Sequence, residues 1–256
     1  MGTDVTAWRP SVSGIREVFH ASFTDHAYPA HTHDAWTLLI IDDGAVRYEL
    51  DHHEHGALRE QVTLLPPHVP HDGRSALPDG FRKRVLYLET EVLGADLIGR
   101  AVDTPALADP LLRHRVHQLH LALKDDDLEA ESRLALITER LRHHFTGDEP
   151  RVLRDPRPAD RFRQLLDARA PENVTLEEAA RLLHVAPTHL VRAFSREYGM
   201  PPHRYLTGRR VDLARGLLLA GHSPAHVASM AGFYDQSHLT RHFRRMLGVS
   251  PGRYAR

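Results

Sequence analysis

The chain has no cysteine, and only two lysines, Lys83 and Lys124, in 256 residues. Without cysteine there is no disulfide framework, no thiolate metal site and no cysteine nucleophile. Long apolar runs are missing too. The longest, WTLLII at 36–41, falls far short of the ~20 residues that span a bilayer. The opening MGTDVTAWRP lacks the basic region and apolar stretch of a signal peptide. These absences predict a cytoplasmic protein without a membrane partner. A phosphate-cradling glycine loop and a nucleophile elbow are also absent, and no spacing singles out an acid/base pair. No catalytic residue is therefore assigned, and no enzyme is expected.

What is present is unevenly distributed. The net charge is −1, yet Ala159 to Arg256 carries 15 arginines and 8 acidic residues, net +7. The remaining 18 basic and 26 acidic residues leave residues 1–158 at −8. A basic segment beside an acidic one predicts that only the C-terminal part meets a polyanion.

Periodicity divides the chain further. In the first 90 residues, VFHASF, TLLIIDD, AVRYEL, QVTLLPP and RKRVLYLE read as short strands separated by DDG, HEHG, HDG and LPDG turns. That spacing predicts a β-barrel or sandwich over residues 1–100. Pro66, Pro67 and Pro70 break regular strand and bring His68 and His71 back on a loop. From Asp109-Pro110 the period becomes helical, with Leu112, Val116, Leu119 and Leu123 recurring every three to four residues. A second helix carries Leu134, Ile137, Leu141 and Phe145. This amphipathic pair, within 101–146, is free to pack on the barrel, on itself or on a second copy of the chain. Its Leu112, Val116, Leu119, Leu123 stripe is the expected homodimer surface. GDEPRVLRDPRP at 147–158, with three prolines and mixed charge, reads as a linker. Residues 159–256 read as all helix, with Thr175 and Glu178 as a capping box and Gly199, Gly221, Gly232 and Gly248 as stops.

Within that helical part a repeat is visible. Laying APTHLVRAFSREYGMPPHRY (186–205) over DQSHLTRHFRRMLGVSPGRY (235–254) gives nine identities in twenty positions at an offset of 49. Each copy is a short helix, a tight turn, a second helix and a glycine stop, which is a helix-turn-helix. Leu190, Phe194, Leu239 and Phe243 are core anchors on the second helices. Thr188, Val191, Arg192, Ser195 and Arg196 in the first copy, and Gln236, Ser237, Thr240, Arg241 and Arg244 in the second, are the expected DNA-facing residues. Arginine forks suit guanine and phosphate, and small side chains let a helix sink into the groove.

AGFYDQSHLTRHFRRMLGVSPGRY resembles the C-terminal signature of AraC/XylS-type bacterial transcription regulators. The resemblance covers roughly Ala159 to Arg256. It implies two helix-turn-helix units entering adjacent major-groove segments of double-stranded promoter DNA, about one turn apart. It also implies contact with RNA polymerase. Two departures stand out: Val191 is apolar where relatives carry a polar reader, and Tyr254 is followed by Ala255 where the pattern has arginine. HTHDAWTLLIIDDGAVRYELD, followed by VTLLPPHVPHDG, resembles the cupin-like sensing barrel that precedes such domains. The implied fold is α+β in two domains: a cupin-like β-barrel with a helical pair, then an all-α double helix-turn-helix.

In the barrel, His31, His33, Trp36, Tyr48 and His71 are the expected contacts for a small-molecule effector of unknown identity. His31 and His33 fall on one strand face at period two, and His71 can approach from its loop. Three imidazoles suit zinc, iron or nickel. Enzymatic cupins add a glutamate just after the second histidine, where this chain has Trp36-Thr37-Leu38, and Asp34 points to the other face. Three readings stay open for His31, His33 and His71: metal ligands, effector-contacting imidazoles, or solvated histidines near a strand end. Apart from such a metal, no cofactor is expected. The alternative to a ligand-responsive regulator is a metal sensor, or a metal-dependent cupin enzyme, fused to a DNA-binding domain.

Overall fold

The computed structural model describes residues 4–24, 26–147 and 157–254. The chain divides into two compact units, residues 1–124 with 133–150, and residues 125–132 with 151–256. The sequence-predicted linker lies outside the described residues except for Gly147 and for Arg157 and Pro158, which open a helix.

In the first unit the strands are β1 (Asp4–Trp8), β2 (Ile15–Phe23), β3 (Ala27–His31), β4 (Trp36–Gly44), β5 (Val46–Leu50), β6 (His53–Ala57), β7 (Val62–Leu65), β8 (His71–Ser75), β9 (Phe81–Leu88) and β10 (Ala106–Leu107). Among the described residues they form two antiparallel sheets, β1-β2-β9-β4-β7-β10 and β3-β8-β5-β6. Short helices α1 (Thr90–Leu93) and α2 (Ile98–Asp103) follow β9, and α3 (Pro110–Ala122) and α4 (Asp127–Thr146) complete the pair predicted from periodicity.

Two turns set the strand geometry. Asp51 and His52 have φ of 47° and 65°, and Leu50 pairs with His53. This is a two-residue hairpin in the primed geometry that matches strand twist. The DHHEH tip is thus two residues wide, with His53 and His55 already in β6. At Gly80 (φ +83°) an added Cβ would stand 1.9 Å from the Phe23 carbonyl oxygen, so only glycine lets the chain pass there.

The stripe expected to dimerise is used inside the chain. Leu112, Val116 and Leu119 are 0% exposed and Leu123 is 7% exposed. A polar network ties α3 to the sheet. Arg84 on β9 donates to both Asp42 oxygens (2.7 and 2.6 Å) and to His117 Nδ1 (2.8 Å). His20 on β2 meets His120 of α3 at 3.1 Å. At the helix start, Asp109 accepts from Leu112 N (3.0 Å) and takes a two-point contact from Arg140 of α4. An amphipathic stripe looks the same in sequence whether it packs inside its own chain or on a second copy, and here it is buried inside the chain.

Burial lowers the pKa of His120 well below the ordinary value, with Arg84 adding to the effect, and lowers that of His20 as well. The unfolded chain, with imidazoles near ~6.5, therefore binds more protons below that pH. Stability contributed by these groups is complete above about 6.5 and is lost as pH falls below it. The melting temperature is expected to drop between pH 7.5 and 5, with a shallower drop in His120→Leu. An unchanged pH slope in that variant would remove His120 from the account.

In the second unit, α5 (Arg157–Ala168), α6 (Leu176–Leu183), α7 (Pro187–Tyr198), α8 (Pro202–Leu219), α9 (Pro224–Met230), α10 (Gln236–Leu247) and α11 (Pro251–Tyr254) follow in order. Thr175, Ser223 and Asp235 cap α6, α9 and α10 by accepting from backbone N–H groups, and Gly199 and Gly248 close α7 and α10 with φ of 66° and 75°. The capping box forms by half. Thr175 accepts from Glu178 N (3.1 Å), while the Glu178 carboxylate turns to Arg169 (2.7 Å). The repeat survives in three dimensions: Phe194 and Tyr205 meet edge-on at 5.4 Å, and their counterparts Phe243 and Tyr254 meet edge-on at 5.2 Å. Among the described residues, no helix is long and apolar enough to cross a membrane.

Candidate nucleic-acid interface and ligand cavity

In the second helix-turn-helix the predicted residues converge. Gln236, Ser237, Thr240, Arg241 and Arg244 line one open groove of about 690 Å3. Gln236 and Ser237 stand in the first turn of α10, the part of a reading helix that reaches base edges. Leu239 and Phe243 on the opposite face are 0% exposed, so the groove side is the side left outward. Three arginines (241, 244 and 245) and no acidic residue occupy this helix. Arg241 Nη1 donates to Asp125 Oδ1 at 2.8 Å, with both side chains about half exposed.

The first helix-turn-helix corrects one expectation. Thr188, Arg192 and Ser195 on α7 are half-buried and Arg196 is exposed, but Val191 is 3% exposed and packs in the core. The apolar arc of α7 takes in Leu190, Val191, Ala193 and Phe194, a wider stripe than that of α10. The equivalent position on α10, Thr240, lines the groove instead. The apolar residue that departed from the family pattern is thus a core residue.

In the first unit a cavity of about 60 Å3 lies between the inner faces of the two sheets. His31, His33, Tyr48 and His71 line it, as expected. Trp36 does not. It is 0% exposed, and alternation along β4 explains why: Thr37 and Leu39 face the cavity, so Trp36, Leu38 and Ile40 face the other side of the sheet. His31 and His71 are direct partners across β3 and β8. His33 lies just past the end of β3, where His68 N donates to its carbonyl at 2.7 Å. The three rings stand 4.6–5.1 Å apart by centroid. Their ligand nitrogens all lie within 4.8 Å of one another. Asp34 is held away by Arg16 at 2.5 Å. Asp72 lines the cavity, but its Oδ1 accepts from Glu49 N at 2.7 Å.

Sequence reading missed Tyr28, Lys83 and Tyr87 in the same lining. Lys83 Nζ sits 4.1 Å from the Tyr28 ring centroid, within cation–π range. Burial lowers its pKa to about 8. Burial also lowers His33 to about 4, with His71, His31 and Lys83 adding, lowers His71, and raises the phenols of Tyr28, Tyr48 and Tyr87. The overlooked signal was parity: Lys83, Val85 and Tyr87 share a strand face, so Lys83 stands on the apolar side of β9. The Tyr28 hydroxyl is buried without a hydrogen-bond partner among the described residues, whereas that of Tyr48 turns to Thr63.

Two family models match the chain. An AraC-like ligand-binding domain matches residues 14–138, and a helix-turn-helix domain matches residues 179–256. The chain belongs to the AraC family of transcription regulators. Its helical domain is a DNA-binding domain and its sheet domain a ligand-binding one. Among its AraC-family relatives, the uncharacterized HTH-type transcriptional regulator YbfI of Bacillus subtilis is 27% identical over 235 residues, 83% of this chain and 81% of that protein. The probable transcriptional regulator LumQ of Photobacterium leiognathi is 26% identical over 148 residues, 55% of this chain and 59% of that protein. The crystal structure of the DNA-binding domain of AdpA in complex with a target DNA is 29% identical, covering 38% of this chain and 89% of that one, at a TM-score of 0.37.

Proposed function

We propose that this chain is a one-component regulator of the bacterial cytoplasm. It binds double-stranded promoter DNA through α7 and α10, and an effector in the sheet cavity shifts that binding. The groove formed by Gln236, Ser237, Thr240, Arg241 and Arg244 carries the reading. Two reading helices per subunit enter successive major-groove segments, phosphate contacts set register, and base edges set sequence. The effector acts by its differential affinity for two states of the protein. RNA polymerase contact and homodimerisation follow from the family resemblance. With the α3 stripe buried, dimerisation falls to other surface, where Leu111 and Leu121 are 44% and 53% exposed.

The test is selection of bound sequences from random duplexes by the full chain. The expected result is an enriched site with two contacted segments about one helical turn, roughly 10 base pairs, apart. Affinity for that site should fall steeply with salt. Absence of any enriched sequence would overturn the proposal. A second reading, a metal sensor or metal-dependent enzyme fused to a DNA-binding domain, draws on the three converging imidazoles.

A further inference from the structure

The second nitrogens of the cavity histidines deepen the ligand-sensing half of that reading. His31 Nδ1 lies 2.7 Å from the Pro29 carbonyl oxygen, and His71 Nδ1 lies 3.0 Å from that of Val69. A carbonyl oxygen only accepts, so each Nδ1 carries the proton and donates it. In the neutral ring the Nε2 lone pair is then left for another partner. Metal-binding histidines are oriented in this way, with one ring nitrogen on a backbone carbonyl and the other on the ion. Both residues reach the carbonyl two residues back along the chain. Because His31 and His71 are paired across β3 and β8, the two rings are set side by side by the sheet. His33, anchored through its own carbonyl by His68 N, brings the third.

We propose that His31, His33 and His71 form a divalent transition-metal site whose open fourth position faces the sheet cavity and takes an anionic ligand. A tetrahedral ion with bonds of ~2.1 Å places its nitrogens about 3.4 Å apart. The ligand nitrogens now lie within 4.8 Å of one another, at most about 1.4 Å wider than that spacing, a gap that ion binding closes. Three protein ligands with one open position is the arrangement of a site that exchanges a ligand, whereas a purely structural site is closed. The neutral nitrogen set suits zinc, nickel, cobalt or iron and not magnesium or calcium, which require oxygens. With no carboxylate in the ligand set, the site keeps the ion's full double charge. Lys83, the only cation lining the cavity among the described residues, adds to it. Together they favour an anion over neutral water at the fourth position, and the unpartnered Tyr28 hydroxyl in the same lining is a donor left to meet it. A cavity of about 60 Å3 has room for about two waters, so a carboxylate-sized group fits it as it stands.

The experiment uses untagged full-length protein stripped of metal and titrated with cobalt(II), read by its visible ligand-field bands, and with zinc by calorimetry. Twenty-one histidines make a control essential, so His33→Ala and His33→Gln are compared with a His52→Ala, His53→Ala double variant. The expected result is one ion per chain with a four-coordinate cobalt spectrum. Affinity should fall in both His33 variants by at least the roughly 10–100-fold that loss of an outer-shell partner costs, and should not change in the hairpin control. Acetate should then alter the cobalt spectrum in the parent protein and much less in Lys83→Met. Circular dichroism of each variant separates lost ligation from lost fold. No stoichiometric binding, or binding that ignores His33 but falls in the hairpin control, overturns the site. A cobalt spectrum indifferent to acetate overturns the anionic fourth ligand. DNA selection by the metal-free protein is read separately, so failure here leaves the regulator reading to its own test.

Discussion

Phe243→Ala should unfold the second helix-turn-helix and abolish DNA binding. Its ring is 0% exposed and lies in a cluster of Val211, Ala214, Leu218, Val227, Ala228, Ala231, Phe233 and Leu239. The Tyr254 ring meets it edge-on at 5.2 Å. Truncating a buried phenylalanine costs ~3–5 kcal/mol through lost transfer energy and the cavity left behind. A whole domain is stable by only about 5–15 kcal/mol. For a unit of this size, that loss lowers the melting temperature by more than about 10 °C. Met246 lies three residues on, on the same side of α10 by sequence, but is 50% exposed. Met246→Ala should therefore stay within about 0.5 kcal/mol of the parent. Thermal unfolding of the full chain with each variant checks both. Equal effects would mean that the burial pattern of α10 is wrong.

The difference between Phe243 and Met246 marks the limit of sequence reading here. Periodicity finds an apolar stripe and cannot find its edges. It placed Leu239 and Phe243 in the core correctly and left Val191 on the DNA face, because nothing in VRAF states how wide an arc its neighbours cover. The same limit applied to Leu112, Val116, Leu119 and Leu123: the stripe was real, but it is buried inside the chain, on a helix tied to the sheet through His117 and His120. The double helix-turn-helix was legible because it occurs twice, and a 49-residue offset with shared histidine, leucine, phenylalanine and glycine positions constrains both copies together. In the cavity, parity placed His31 and His33 on one strand face and left His71 on a loop; the three histidines do converge, but His33 lies past the end of β3, and His71 opens β8 as the strand partner of His31. Trp36 was misplaced by taking proximity in sequence for a shared face. Lys83 was missed although its parity with Val85 and Tyr87 was available, because a lysine between arginines reads first as solvated charge. Strands β1, β3, β6 and β8 were also missed. Each is five residues long and polar or poorly alternating, and is held by pairing to neighbours that propensity does not see.

Arg241→Ala is expected to weaken binding to the enriched DNA site by ~1–3 kcal/mol, roughly 5–150-fold, and to relax preference at a single base pair. The position of Arg241 makes the argument. It lies one turn beyond Ser237 on the groove side of α10, beside Thr240, so its fork projects where base edges would be. Arg244 lies a further turn along, nearer the backbone side of a helix inserted by its N-terminus. Arg244→Ala should instead weaken all sequences alike and reduce the salt slope by about 0.9 for one lost phosphate contact. Uniform weakening by the Arg241 variant would make it a phosphate contact too. Asp125 competes for the same guanidinium at 2.8 Å. With both side chains about half exposed, such a pair is worth only ~0–1 kcal/mol. DNA therefore displaces it at little cost, and Asp125→Asn should tighten binding by no more than roughly fivefold, less at high salt. Arg241→Lys should not restore base preference, because an ammonium lacks the planar two-point donor that a guanine edge accepts. A lysine variant that recovers affinity but not sequence preference would separate the charge of Arg241 from its geometry, and would place the specificity of the second reading helix in that fork.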